Sequence, residues 1–264
     1  MKQFTWNDIQ TYLNTGIQDS YFSKGTGISV GSFDGLHLGH RTLLSQLVFN
    51  CKKNNLIPGV VSFKRPLPSI KHSGDYQGDV STLEQRLKLF EELGIEFVII
   101  IDFDDSFASI LGTDFLNIMV NACNMEFICE GVDFRFGYKG ATDVSAIKYF
   151  AEQNNIGTCF VNQVIYHEGT DEEERISSSY IRTMILKGFL STVEELLSRP
   201  YSVLLPVNCF EKSENHYRLK KSSIHQILPP AGVYHCNSKS ENPVRLEITE
   251  DYVVVDYPVE ELIF

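Results

Sequence analysis

The chain has 264 residues, 43% of them hydrophobic and 12% aromatic, and a formal net charge of −11. That is apolar material for one large domain, or one domain with a small appendage, and an acidic balance argues against a nucleic-acid partner. No apolar run approaches the ~20 residues of a membrane span, and residues 1–12 contain no apolar signal core. The six cysteines (Cys51, Cys123, Cys129, Cys159, Cys209, Cys236) form no Cys-x-x-Cys pair. Zinc and a disulfide framework are therefore not expected, and a cytoplasmic location is.

Strand and helix signals alternate through the first two hundred residues. Strands are expected at 27–31, 59–63, 96–101, 126–130 and 158–165, with helical stretches between them. Near-continuous apolar runs such as Phe97-Val98-Ile99-Ile100-Ile101 suit a sheet covered on both faces. The alternation predicts an α/β domain with a doubly wound parallel sheet, whose ligands bind beyond the carboxyl ends of the strands.

After the first strand comes Gly31-Ser32-Phe33-Asp34-Gly35-Leu36-His37-Leu38-Gly39-His40, followed by helical spacing at Leu43, Leu44, Leu47 and Val48. A strand, a glycine turn and a helix start aim free backbone N–H groups and the positive helix end at one spot, which suits a phosphate. His37 falls in the turn and His40 in the first helical turn. Gly31, Gly35 and Gly39 permit positive φ or close approach of backbone to ligand. In so acidic a chain an anion site needs a local positive island, for which His37, His40, Arg41, Lys64, Arg65, Arg135, Lys139, Arg175 and Arg182 are available.

Further along, Phe63-Lys64-Arg65-Pro66-Leu67-Pro68 makes a rigid loop after the second strand. Ser81-Thr82-Leu83-Glu84 reads as a capping box opening a helix that Gly94 ends. Thr113-Asp114 starts another helix, and 144–154 has helical spacing. Gly131-Val132-Asp133-Phe134-Arg135-Phe136-Gly137 follows the strand at 126–130 and suits the rim of a planar aromatic ligand, with Asp133 as acceptor; taken alone, Phe134 and Phe136 read as core residues rather than stacking platforms, and only one of the pair needs to face the ligand. Arg175-Ile176-Ser177-Ser178-Ser179-Tyr180-Ile181-Arg182 begins a helix ended by Gly188. One serine would cap it; spare hydroxyls, free N–H groups and Arg182 would form a second cradle for phosphate oxygens. Beyond Pro200, short alternating runs separated by turns predict a small antiparallel β module, giving a division at 1–200 and 201–264.

Together these residues resemble the adenylyltransferase module of bacterial FAD synthetases, the prokaryotic riboflavin kinase/FMN adenylyltransferase family. Residues 31–40 match its Gly-x-Phe-Asp-Gly-x-His-x-Gly-His, 131–137 its Gly-x-Asp/Asn-Phe-x-Phe-Gly, and 175–182 its Arg-Ile-Ser-Ser-Thr-x-x-Arg. The resemblance implies transfer of AMP from ATP to FMN, giving FAD and pyrophosphate, with Mg²⁺ accompanying the nucleotide. It further implies that His37, His40, Ser178, Ser179 and Arg182 act on the phosphates, supported by Arg175 and Ser177. Gly31, Ser32, Phe33, Asp34, Gly35 and Gly39 would form the binding turn. Asp133 and Phe136 would lie by nucleotide and flavin, and Phe63 near the isoalloxazine ring. ATP and FMN are the partners expected, with neither nucleic acid nor membrane.

Three positions depart from that pattern: Ser32 stands for the usual Asn, Ser179 for Thr, and the 63–68 loop lacks the family's Phe-x-Pro-His-Pro. Leu197-Ser198-Arg199-Pro200-Tyr201 matches the junction to the kinase half, and Pro229-Pro230-Ala231-Gly232-Val233-Tyr234 resembles a remnant of it. The kinase signature Gly-x-Pro-Thr-x-Asn is absent, so riboflavin kinase activity is not expected. The other readings are a nucleotidylyltransferase with a different phosphorylated acceptor and a non-catalytic flavin-binding remnant.

Overall fold

The computed structural model describes residues 1–16, 19–67, 69, 76–213 and 216–264. By compactness the chain divides into two units. One comprises Met1–Phe33, Gly39–Lys71 and Leu87–Val164, the other Asp34–Leu38, His72–Arg86 and Ile165–Phe264.

The first unit contains β1 (Lys2–Thr5), β2 (Thr26–Val30), β3 (Ile57–Phe63), β4 (Phe97–Ile101), β5 (Met125–Gly131), the short hairpin of β6 (Arg135–Phe136) with β7 (Thr142–Asp143), and β8 (Gly157–Val161). Six of these form a sheet of order β1-β4-β3-β2-β5-β8, parallel throughout. The winding direction reverses between β2 and β5. This is the doubly wound α/β sheet expected, and its switch point lies where the segments 31–40 and 131–137 begin.

Alternation along the strands sends side chains to two covered faces. On one, Ile28, Val30, Val61, Phe63, Ile99 and Ile101 share a core with Ile9 of the helix Trp6–Thr15, with Phe115, Leu116 and Met119 of the helix Gly112–Cys123, and with Ile147 and Ala151 of the helix Val144–Gln153. On the other, Gly27 leaves room for Cys51 and Leu47 of the helix Leu38–Asn54. A methyl group there would collide with the Cys51 sulfur, so the glycine fixes how closely helix and sheet approach.

Two features of this unit differ from expectation. The N-terminus supplies an edge strand and a helix, opened by a capping box in which Thr5 Oγ1 accepts from Asp8 N–H (3.2 Å) and Asp8 from Thr5 N–H (2.7 Å). Polar residues dominate the segment because only Phe4 and Ile9 are buried in it. The strand expected at 158–165 ends at Val161, where Asn162 and Gln163 interrupt the apolar run. Ile165 and Tyr166 instead form β9 (Ile165–Tyr166), paired with β10 (Glu174–Arg175) in the second unit.

That unit also carries the helices Ser178–Leu186 and Leu190–Leu197 and the antiparallel module expected at the end of the chain. Its strands are β11 (Ser202–Leu204), β12 (Glu211–Ser213), β13 (His216–Lys220), β14 (Gly232–Ser238), β15 (Pro243–Ile248), β16 (Tyr252–Val255) and β17 (Glu261–Ile263), in the order β11-β17-β14-β15-β16-β13-β12. Val203, Leu219, Cys236, Val244, Leu246, Ile248, Val253, Val255 and Leu262 are buried at alternate positions along them. No helix among the described residues is long and apolar enough to cross a membrane.

Candidate functional site

Beyond the carboxyl end of β2 the chain leaves the sheet through Gly31, Ser32 and Phe33. Gly31 N–H still donates to Val61 of β3 (3.0 Å), whereas Val30 N–H donates to the side chain of Glu130 at the end of β5 (2.6 Å). Ser32 is held on both sides: its hydroxyl accepts from Leu67 N–H (3.2 Å), and its carbonyl from the Ser62 hydroxyl (3.5 Å). Phe33 is buried at positive φ (47°). Its ring meets the half-buried imidazole of His40 edge-on, centroids 5.3 Å apart, and Phe90 from another side at 5.6 Å. A Cβ on Gly31 would sit 3.1 Å from that ring, so glycine here serves the seating of Phe33, and Phe33 in turn orients His40.

A cavity of about 270 Å³ opens at the same end of the sheet. Of the residues expected to bind ligand, Gly31, Ser32, Phe63 and Phe136 line it. Phe134 and Phe136 stack on each other (5.4 Å, 17°), and Phe63 meets Phe103 and Phe107 edge-on at 5.9 and 6.1 Å. Phe103, Phe107 and Phe115 also line the cavity, although no sequence motif points to them. Phe103 and Phe107 follow the carboxyl end of β4, so the strand-end rule that selects 31–40 and 131–137 would find them too. Asp133 is exposed and does not line the cavity. Pro68, at the end of the 63–68 loop, lies outside the described residues.

In the second unit, the turn at Asp34–Leu38 is built almost entirely from side chains. The Asp34 carboxylate is buried and accepts from Val80 N–H (3.1 Å), Ser81 N–H (2.9 Å) and the Ser81 hydroxyl (3.3 Å), and pairs with the Arg182 guanidinium. Burial pushes its carboxyl pKa up, while Arg182 and the two N–H groups work against that rise. Gly35 N–H donates to the Ser81 hydroxyl (2.7 Å), Arg199 donates to the carbonyls of Gly35 (2.6 Å) and Leu36 (3.4 Å), and the Ser178 hydroxyl donates to Asp34 O (2.8 Å). The helix capping box is accordingly displaced by one residue from its expected place. Thr82 and Gln85 form it, with Gln85 N–H donating to Thr82 Oγ1 (3.2 Å) and Thr82 N–H to Gln85 Oε1 (3.0 Å), because Ser81 is engaged in the turn.

The serine segment divides its labour. Ser177 caps the helix by accepting from Tyr180 N–H (3.1 Å), Ser178 holds Asp34, and Ser179 is exposed, as is Arg175. Arg182 is buried; besides Asp34 it donates through Nε to Gly78 O (2.8 Å) and through Nη2 to the Tyr76 hydroxyl (3.3 Å). Elsewhere Lys64 pairs with Asp102 (3.1 Å) and Arg135 with Asp143 (3.5 Å). The positive island is therefore smaller than the supply of basic residues suggests. His37 is 5% exposed, and desolvation, reinforced by the positive charges of Arg175 and Arg199, lowers its pKa to about 3. It is a neutral imidazole at physiological pH, a hydrogen-bonding group rather than a cation.

The parallel sheet, with its switch point and its glycine turn leading into a helix that carries His40, is an α/β fold of the nucleotidylyltransferase type. More narrowly, the chain belongs to the FAD synthetase family, whose model matches residues 20–180. It is 31% identical over 183 residues to a bifunctional riboflavin kinase/FMN adenylyltransferase of Buchnera aphidicola, covering 69% of this chain and 57% of that one. To the Bacillus subtilis protein of the same name it is 26% identical over 213 residues, covering 78% and 65%. A FAD synthetase of Listeria monocytogenes is 24% identical over 181 residues, covering 69% and 72%. The match thus takes in less than two thirds of the Buchnera and Bacillus proteins' own length. Among solved structures, one titled a macrolide-efflux protein from Streptococcus pneumoniae superposes with a TM-score of 0.73 at 20% identity, over 91% of this chain and 92% of that one, a likeness of fold alone.

Proposed function

We propose that this chain is an FMN adenylyltransferase that transfers AMP from ATP to FMN, yielding FAD and pyrophosphate, with Mg²⁺ entering as part of the Mg-ATP substrate. The observation that carries this reading is the phenylalanine-lined cavity at the carboxyl end of the sheet, in a chain of the FAD synthetase family. Its apolar lining and stacked rings suit a flat tricyclic ligand better than the flexible or small acceptors of other nucleotidylyltransferases. Phe63 and Phe136 contact the flavin, and the exposed Asp133 accepts from the ligand at the rim.

The chemistry asks little of a base. The FMN phosphate is already an anionic nucleophile, so the protein must align it with the α-phosphate and stabilise charge moving onto the pyrophosphate. His37 and His40 donate hydrogen bonds to the phosphates. For His37 this agrees with its neutral state: an imidazole N–H beside a polyanion needs no prior protonation, and binding itself would favour its charged form. The turn of Gly31, Ser32, Phe33, Asp34, Gly35 and Gly39 receives the nucleotide. Ser179 offers an outward-facing hydroxyl and Arg175 a cation. Ser177, Ser178 and Arg182 act by fixing the helix start and the Asp34 turn. Residues 1–200 carry this activity, and 201–264 carry no riboflavin kinase. The protein works in the cytoplasm on ATP and FMN, away from nucleic acid and membrane.

Purified protein incubated with Mg-ATP and either FMN or riboflavin, with products separated by chromatography, tests the proposal. FAD from FMN alone is the expected result. No FAD despite FMN binding would overturn it, and FMN formed from riboflavin would show that the chain retains a kinase.

A further inference from the structure

The Asp34 turn leans on residues 78–81, and that segment has no sheet of its own. Its backbone is held from the C-terminal module: Asp79 N–H donates to His225 O (2.9 Å), and Ile227 N–H donates to Asp79 O (3.0 Å), a single parallel bridge with Gln226 between them. Gln226 is 4% exposed, and both ends of its amide are engaged. Nε2 donates to Ser202 O (2.9 Å), Gln85 Oε1 (3.0 Å) and Val80 O (3.2 Å), while Oε1 accepts from Leu204 N–H (2.8 Å). One side chain thus joins the first strand of the module to Val80, which precedes Ser81, and to Gln85 of the capping box that follows it.

Two glycines make these layers rigid. Gly78 lies at φ +127°, where a Cβ would come within 2.7 Å of Ile227 N; Gly35 lies at φ +77°, where a Cβ would come within 2.7 Å of Val80 Cγ1. Residue 227 is packed on the backbone of 78, and the branched side chain of Val80 on the backbone of 35, leaving no long flexible side chain to absorb a shift. The Tyr201 hydroxyl donates to Ile227 O (2.6 Å) and anchors the outer layer.

We propose that Gln226, with the strap at 225–227, is a positioning residue for the turn that carries His37, and that the C-terminal module serves adenylyl transfer by holding that turn. The strap stands on the contacts above; its catalytic consequence rests on the adenylyltransferase reading. Displacements of about 1 Å at a reacting centre cost roughly 10²-fold in rate, so loosening the strap lowers kcat without touching substrate.

The test uses the full chain carrying Q226M, which keeps the volume and removes every hydrogen bond of the side chain, and Q226E, which keeps the acceptor for Leu204 N–H and removes the donor. V244A, a cavity in β15, three strands along the sheet from the β11 strand that Gln226 bonds, serves as a control for general destabilisation. Each variant is followed by thermal unfolding, by amide exchange at Gly35, Val80 and Ser81, and by kcat and KM for FAD formation. The expected result is faster exchange at those three amides and a kcat lowered about 10- to 100-fold in Q226M, with an intermediate loss in Q226E. V244A loses thermal stability with kcat and the three amides within about twofold of wild type. Unchanged exchange and kcat in folded Q226M overturn the proposal, as does the same loss in V244A. If Q226M does not fold, Q226E decides by the same two readouts. If the wild type makes no FAD, the functional reading fails, while amide exchange still decides the strap.

Discussion

The aromatic cavity and the Asp34 turn are built on opposite principles. The cavity is made by an apolar sheet end whose phenylalanines pack on one another, so that Phe63, Phe103 and Phe107 form a wall that would survive the loss of any one ring. The turn is made by converging polar groups, each with a single geometry, around one buried carboxylate. Dispersion is spread over many weak contacts. A buried polar network concentrates its stake in a few strong ones, and removing one partner leaves the others unsatisfied. The cavity should therefore degrade gradually on mutation, and the turn abruptly.

The largest effect is expected at Asp34. Asp34→Ala leaves the Arg182 guanidinium buried without its carboxylate and removes the acceptor for Val80 and Ser81 N–H. The loss should be about 3–5 kcal/mol of folding stability, read by urea denaturation. A loss under about 1 kcal/mol would mean that the network is not the keystone of the turn. His40→Ala probes the catalytic role proposed for that imidazole. A donor aimed at developing charge is worth about 3–4 kcal/mol, or roughly 10²–10³ in turnover, with the fold intact. A decrease under tenfold at native stability would remove His40 from the chemistry.

Much of the first principle is legible in the sequence and little of the second. Apolar periodicity places β2 to β5 within a residue or two of their ends, because burying a strand on two faces leaves a run such as Phe97 to Ile101 that admits few other readings. Gly31 to His40 and 131–137 are visible because glycines and chemistry-bearing residues cluster at strand ends. What Ser81, Gln226 and Arg199 hold is not. Each is an ordinary polar residue far along the chain from what it holds, and its role is set by where tertiary folding brings an acceptor or a donor. Arg182 stands out in the sequence but reads there as a free cation, since its partner lies 148 positions away. The strand at 2–5 escapes because an edge strand needs little apolar surface.

A smaller effect is expected in the cavity. Phe136→Ala removes one ring of the Phe134–Phe136 stack, and the flavin contact proposed for that ring would be worth about 0.5–1.5 kcal/mol beyond area. KM for FMN should rise roughly tenfold with KM for ATP within about twofold. Equal changes in both would show that the cavity is not the flavin site.

The smallest and sharpest prediction concerns Glu130, a carboxyl buried at the apolar end of the sheet. It is 2% exposed and accepts from Val30 N–H, and burial raises its carboxyl pKa well above 4.5. The folded protein therefore keeps this proton at pH values where the unfolded chain has released it. Stability from this group is complete below about pH 4.5 and is lost as pH rises toward the folded-state pKa, since there the native state binds more protons than the unfolded state. Glu130→Gln preserves the acceptor for Val30 N–H and cannot ionise. The stability of this variant relative to wild type should rise between about pH 5 and pH 8, measured by urea denaturation at both. A difference that stays constant with pH would show that the carboxyl is ionised in the folded state, and that the apolar end of the sheet tolerates a charge after all.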